Sequence, residues 1–175
     1  AEARTSFANL VGKSPGILAV FSLIEKVAAT DLPVMIRGES GTGKELVART
    51  LHARSGRARR NFVKVNCAAL PAELLESELF GYERGAFTGA ANEKPGLVEV
   101  ADGGTLFLDE VGEMIPEIQS KFLRVLDSGT FYRVGATRKR RADFRLVCAT
   151  NRDLKGEVAA GRFRKDLFFR VNGVK

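Results

Sequence analysis

The chain is poor in cysteine, and the two it has build nothing recognisable. Cys67 and Cys148 lie in apolar runs that read as strand ends within the 175 residues. They have no metal-ligand spacing and form no disulfide framework, which favours a reducing, cytoplasmic setting. No apolar run is long enough to span a bilayer and no leading signal segment is evident, so a membrane partner is not expected. No internal repeat is visible. What remains is one domain's length, residues 1 to 175, with 45% hydrophobic and 28% charged residues, enough for a real core. The formal charge of +7 comes largely from two clusters, Arg57-Arg59-Arg60 and Arg138-Lys139-Arg140-Arg141. Contact with nucleic acid would explain them, and so would solvated loops.

The most informative stretch begins at Val34-Met35-Ile36-Arg37, a short apolar run that reads as a buried strand. Gly38-Glu39-Ser40-Gly41-Thr42-Gly43-Lys44-Glu45 follows, and Leu46 to Leu51 continues as a helix. Gly-x-x-x-x-Gly-Lys between a strand and a helix is the recipe for a phosphate cradle. Its glycines let backbone N–H groups approach an anion, the helix start points its own N–H groups at it, and Lys44 adds a mobile charge. Glu45 stands where most such loops carry a hydroxyl for magnesium. A water or the Glu45 carboxylate substitutes, or the metal depends on residues elsewhere.

Ser14-Pro15 reads as an N-cap with proline at the first helical position, and Ile17, Leu18, Phe21, Ile24 and Val27 follow at helical spacing. Phe62 to Asn66 reads as a second strand, and Pro71 to Phe80 as a short helix with Leu74, Leu75 and Leu79 on one side. Glycines then punctuate Gly81 to Ala90, arguing against a regular element. Either Phe87 folds back on the domain or the loop presents it to a partner. Thr105-Leu106-Phe107-Leu108-Asp109-Glu110 is a buried strand ending in two carboxylates. In a parallel α/β sheet the strand's carboxyl end belongs near the phosphate loop. There Asp109 would hold Mg²⁺ through its waters and Glu110 would polarise an attacking water; capping the next helix is the plain alternative. Ile115 to Leu126 reads as a helix, residues 129 to 141 as a hairpin insertion, and Phe144 to Ala149 as a strand ending at Thr150-Asn151. An amide there would read a γ-phosphate, or merely cap a turn. Arg164 and Arg170 lie in a cationic segment with no acidic run nearby to neutralise it, either a solvated face or a reach toward a neighbour's nucleotide.

These residues closely resemble the central AAA+ ATPase domain of bacterial enhancer-binding proteins, the activators of sigma-54 RNA polymerase. Residues 38 to 45 resemble that family's phosphate loop, Glu45 included, and Gly85-Ala86-Phe87-Thr88-Gly89-Ala90 matches its signature word letter for letter. The resemblance covers practically the whole chain. It implies a three-layer αβα P-loop core with a mainly parallel sheet, ATP and Mg²⁺ as ligands, and Val11-Gly12 lining adenine. It implies that Asn66 couples the catalytic glutamate to nucleotide state, that Thr150-Asn151 is the first sensor, and that Arg164 and Arg170 reach the neighbour's ATP in a ring, expected to be a hexamer. Phe87 and Thr88 resemble the tip that touches sigma-54, with residues 130 to 141 beside it. The family continues past the equivalent of Lys175 into a last core strand, a helical lid and often a DNA-binding helix-turn-helix. The expected fragment therefore lacks that strand and lid. Two functions stand: an ATP-driven activator of transcription, and a nucleotide-binding switch or scaffold with little hydrolysis. DNA contact by the parent protein is expected through a domain absent here.

Overall fold

The structure is a computed structural model that describes residues 6–7, 10–11, 14–39, 41 and 43–173. A short antiparallel pair, β1 (Ser6–Phe7) and β2 (Leu10–Val11), leads to α1 (Pro15–Ala28), β3 (Val34–Arg37), α2 (Lys44–Ala53) and β4 (Phe62–Asn66). Then come α3 (Ala72–Phe80), β5 (Gly81–Tyr82), β6 (Lys94–Pro95), α4 (Leu97–Val100) and β7 (Thr105–Asp109). A 3-10 turn at Val111–Glu113 precedes α5 (Pro116–Ser128), β8 (Thr130–Phe131), β9 (Arg140–Arg141), β10 (Arg145–Thr150), α6 (Leu154–Ala159) and α7 (Lys165–Val171).

The central sheet is four-stranded in the order β3-β10-β7-β4, and every pairing in it is parallel. Side chains alternate across a strand, so a run apolar at every position has to be covered on both faces. Leu106, Leu108, Leu146 and Cys148 face one layer, with α3 and α5 supplying Leu75, Leu79, Ile118 and Phe122. Phe107, Val147 and Ala149 face the other, where α1 and α2 supply Phe21, Ile24, Ala48 and Leu51. This is the expected αβα sandwich. β3, the strand before the phosphate loop, lies at one edge of the sheet.

Local rules explain the helix starts. Ser14 caps α1, its hydroxyl accepting the Ile17 N–H at 3.3 Å, and Pro15 occupies the first turn. The far end of α1 is held from the sheet. Arg145, 1% exposed, donates to the Val27 and Ala28 carbonyls at 2.8 and 3.0 Å, joining a cation to the negative end of the helix dipole. One expected face is different. Leu74 is 51% exposed while Ser77 and Phe80 are buried beside Leu75 and Leu79. Helix α3 rotates to pack Phe80, a larger apolar group than Leu74, into the core.

Two excursions leave the sandwich on the same side. β5 and β6 form the base of the glycine-rich loop, and β8 and β9 pair as the expected hairpin. They are tied to each other: Glu83 donates its N–H to Val134, and Val134 donates its own to Gly81. Gly135 packs so close to Ala86 that an added Cβ would lie 2.8 Å from the Ala86 Cβ.

Candidate functional site

Because all four central strands run the same way, their carboxyl ends converge, and chemistry collects there. A cavity of about 670 Å³ opens at that edge, with Gly41, Gly43, Lys44 and Glu45 on one wall and Asn66, Asp109, Glu110 and Asn151 opposite. The phosphate loop and the carboxylate strand therefore meet, as their sequence positions predict.

The cradle is built from backbone. Gly41 and Gly43 have φ of +81° and +85°, a region that favours glycine, and open space surrounds the position of a Cβ at both. Gly43 is the N-cap of α2 and offers no side-chain cap. The helix's first N–H groups are thus left for an anion. Lys44 is 8% exposed, donating from Nζ to the Gly38 carbonyl at 2.8 Å and lying 3.5 Å from Glu110 Oε1. An ammonium has three donors, so one remains for a phosphate oxygen. Glu39 is exposed at the loop's mouth. Ser40, Thr42 and Gly12 lie outside the described residues; Val11 ends β2.

Glu110 has φ 54° and ψ 49° and is the one non-glycine residue with positive φ among the described residues. A left-handed backbone costs such a residue roughly 1–3 kcal/mol. The strain turns the chain sharply after Asp109, so β7 ends one residue earlier than the sequence reading places it. Asp109 finishes the strand and Glu110 faces Lys44. Oxygen donors at Asp109, Glu110 and Asn66 suit Mg²⁺, which keeps several waters and takes one or two carboxylates plus substrate phosphates.

Other expectations divide. Asn151 lines the cavity, whereas Thr150 is fully buried, its hydroxyl accepting the Arg152 N–H at 3.0 Å. Asn66 lines the cavity as well, but its side-chain oxygen accepts the Ala68 N–H, and Glu110 pairs with Lys44 instead. Glu45 is turned aside, bonded at 3.2 Å by both Lys64 and Arg49. The hydrogen bond from Lys64 leads the effects that hold its carboxyl below the ordinary glutamate range. Burial, with Asp109 and Glu110 nearby, pushes the Cys67 thiol up to about 12.

Arg164 and Arg170 do not stand unneutralised. Arg164, the N-cap of α7, binds Asp166 at 2.7 Å, and Arg170 binds Asp127 at 3.1 Å and the Leu126 carbonyl at 2.9 Å. Asp166 and Asp127 are single acids, one supplied by another helix, so a search for an acidic run misses them. Neither arginine lines the cavity of its own chain.

Sequence reading overlooked Glu113, which lines the cavity and pairs with Arg152, and Gln119. Gln119 is fully buried. Its amide nitrogen donates to the Met114 and Arg162 carbonyls at 2.6 and 3.0 Å, and its oxygen accepts the Arg164 N–H at 2.7 Å. It joins the segment after the carboxylate strand to the start of α7. A glutamine on a helix's apolar stripe was the available signal.

In the glycine-rich loop, Gly85 donates its N–H to the Ala90 carbonyl at 2.8 Å and Gly89 has φ +94°. Phe87 is 45% exposed and meets the Tyr82 ring edge-on with centroids 4.8 Å apart. Both readings are partly realised: the ring rests on the domain while nearly half of it faces solvent. Thr88 is exposed beside it, and Ala90 is buried beneath. Below the loop, Arg133, 6% exposed, binds Glu99 through two bonds of 3.0 Å and lies within 3.6 Å of Glu83 and Glu93. Arg140 adds contacts to Glu83 and Glu99.

Comparison with known proteins agrees with this geometry. The chain is 59% identical over 169 residues to a Nif-specific regulatory protein of Rhodobacter capsulatus, covering 97% of this chain and 29% of that protein. It is 56% identical over 167 residues to one from Azotobacter vinelandii, covering 95% of this chain and 32% of that protein. The chain thus spans about a third of the length of these curated relatives. Among solved structures, NtrX from Brucella abortus in complex with ATP superposes with a TM-score of 0.87 at 44% identity, over 99% of this chain and 39% of that one. The family described as the Sigma-54 interaction domain matches residues 10–175, and with the phosphate cradle, the strained carboxylate and the Gly85–Ala90 loop in place, the chain belongs to that family.

Proposed function

We propose that this chain is the ATP-hydrolysing engine of a sigma-54-dependent transcription activator, one α/β unit over residues 1 to 175. The observation that carries the reading is Glu110, held in a strained backbone at the end of β7 and facing Lys44 across the cavity. In this reading the Gly41 and Gly43 backbone and the start of α2 hold the β- and γ-phosphates, and the spare donor of Lys44 binds an oxygen between them. Asp109 would hold Mg²⁺, with Asn66 beside it, and the ion would supply neutralisation of the charge spread over the phosphates. Glu110 orients the attacking water and accepts its proton, and Asn151 senses the γ-phosphate. Arg164 and Arg170 act on the neighbouring subunit's ATP in a homo-oligomeric ring. Their present partners are surface acids, and such pairs contribute only about 0–1 kcal/mol, so a phosphate can replace them. Phe87 and Thr88 contact sigma-54 in the polymerase holoenzyme, Phe87 leaving Tyr82 to do so.

Two variants test the two halves of this reading. Glu110→Gln keeps the side chain's size and removes the base, so ATP binding is expected to persist while turnover falls by ~10²–10⁴-fold. Phe87→Ala is expected to leave nucleotide affinity intact and abolish co-migration with sigma-54 in the presence of ADP and aluminium fluoride. Unchanged turnover removes Glu110 from its role; unchanged co-migration moves the partner contact elsewhere, with residues 130 to 141 the next candidate.

A further inference from the structure

The two basic clusters lie far apart in sequence, and the fold brings them to one edge. Residues 54 to 61 precede β4, residues 102 to 104 precede β7, and residues 141 to 144 precede β10, so all three connections lie at the amino ends of parallel strands. They are stitched together there. Thr105 donates its N–H to Asn61, Gly103 to Asp143 at 2.7 Å, and Arg145 to Gly104. Arg57, in the first connection, bonds Asp31 and Asp143 and reaches the Gly104 carbonyl. The Arg60 side chain passes over Gly103, with its Cδ 4.0 Å from the position of a Cβ. Next to that turn, Glu99, Asp102, Arg138, Lys139, Arg140 and Arg141 line a shallow concavity of about 410 Å³.

The charges in this region fall into two groups. Arg57, Arg133 and Arg140 are committed to acids, as described above, and they fix the geometry of the connections. Arg59, Arg60, Arg138, Lys139 and Arg141 are exposed, and none has an ion-pair partner among the described residues. Nearby acids are already used: Glu99 is held by Arg133 and Arg140, Asp143 by Arg57, and Asp102 accepts the Asp143 N–H at 2.7 Å.

 Glu99 in particular has no capacity left for a further cation, since the Gly96 N–H also binds it at 3.0 Å. The result is an arginine-rich belt on a rigid edge, opposite the nucleotide cavity and beside the hairpin that supports the Gly85–Ala90 loop.

We infer that this belt, Arg59, Arg60, Arg138, Lys139 and Arg141, is a docking surface for the phosphate backbone of duplex DNA. Uncompensated cations of one sign repel each other and hold counterions, and a regular line of phosphates relieves both conditions. Guanidinium groups suit phosphate through paired donors. The connections are pinned to strand ends, so they present a fixed array suited to a regular duplex rather than a flexible acidic tail. Every contact in this account is to phosphate, and the binding is therefore independent of sequence. The choice of DNA rests on the activator reading, which places the domain at a promoter with the belt beside the sigma-54 contact.

The test is fluorescence anisotropy of the 175-residue chain with a labelled duplex of mixed sequence, without nucleotide and without sigma-54. With about four phosphate contacts, affinity is expected to fall roughly a hundredfold between about 50 and 200 mM salt. Arg60→Ala, Lys139→Ala and Arg141→Ala together are expected to lower the slope of log affinity against log salt by about 2.7. Arg60→Lys with Arg141→Lys keeps the charge and is expected to retain the slope, which separates lost charge from lost structure. No duplex binding at the lowest salt, or an unchanged slope in the triple alanine variant, overturns the proposal. Tighter binding to polyglutamate than to duplex overturns it too, and marks the belt as a surface for an acidic protein. Because sigma-54 is absent from the assay, failure here leaves the co-migration result standing, and failure of co-migration leaves this result standing.

Discussion

At the scale of single residues, the Nε atoms of Arg140 and Arg145 are buried without a hydrogen-bond partner among the described residues, whereas both ring nitrogens of the buried His52 are satisfied. His52 sits between α2 and β7, with Nδ1 2.8 Å from Thr105 Oγ1 and Nε2 3.0 Å from the Arg60 carbonyl. A carbonyl only accepts, so Nε2 carries the proton and Nδ1 accepts from the Thr105 hydroxyl in the neutral ring. Burial pushes its pKa below the ordinary value of 6.5. The unfolded chain binds a proton at 6.5 while the folded one still resists it. His52 therefore contributes stability that is complete above that value and is lost as pH falls below it. The carboxyls of Asp31, Glu45 and Glu99 are held low instead, and their contribution is lost only below the ordinary carboxyl values of 3.8 and 4.5. Urea unfolding between about pH 7 and 5.5 is expected to show stability declining with acid, and His52→Gln is expected to flatten that decline. An equal slope in the variant assigns the decline to another group.

At the scale of elements, the loop and hairpin form one unit because Arg133 reaches both. Its guanidinium is buried between Glu99 on α4 and the acids flanking the loop, Glu83 and Glu93. Removing it leaves Glu99 with the Gly96 N–H and with Arg140 as its one cation among the described residues, in a site that is mostly closed. Breaking a buried pair from one side is destabilising by about 3 kcal/mol. Arg133→Ala is expected to lower the melting temperature by roughly 6–12 °C and to expose the loop to proteolysis at lower protease concentrations than the parent. A variant that melts with the parent shows that Arg140 alone holds the acids. The ring contact between Tyr82 and Phe87 belongs to this unit as well, and it is the contact that would open under the proposed sigma-54 docking of Phe87.

At the scale of the whole molecule, Arg164 and Arg170 lie outside the lining of the nucleotide cavity of their own chain. If Arg164 and Arg170 complete a neighbour's site, Lys44→Ala and Arg170→Ala lesions fall in different halves of a shared interface. Under the proposed ring assembly, mixing the two variants in the full-length protein is expected to recover part of the ATPase rate, because some interfaces then combine one intact half from each. Absence of recovery in rings shown to be mixed puts Arg170 in its own subunit's site or outside catalysis. The parental rate per subunit is expected to rise with protein concentration for the same reason.

Local chemistry in the sequence by itself determined the central strands, the helix starts and the phosphate cradle. The Ser14-Pro15 cap, the apolar runs that require cover on both faces and the glycines at 41 and 43 are rules acting over a few residues, legible without knowing the fold. Parallel strand order then placed Asp109 and Glu110 beside Lys44. Only the tertiary structure decided which side chains meet over long separations. It paired Arg170 with Asp127, turned Glu45 toward Lys64, exposed Leu74 in favour of Phe80 and buried Gln119 between α5 and the start of α7. It also drew the arginines before β4 to the basic hairpin before β10. The physical reason is that an ion pair or a buried amide depends on distance and desolvation, quantities that exist only once packing has fixed where each element lies.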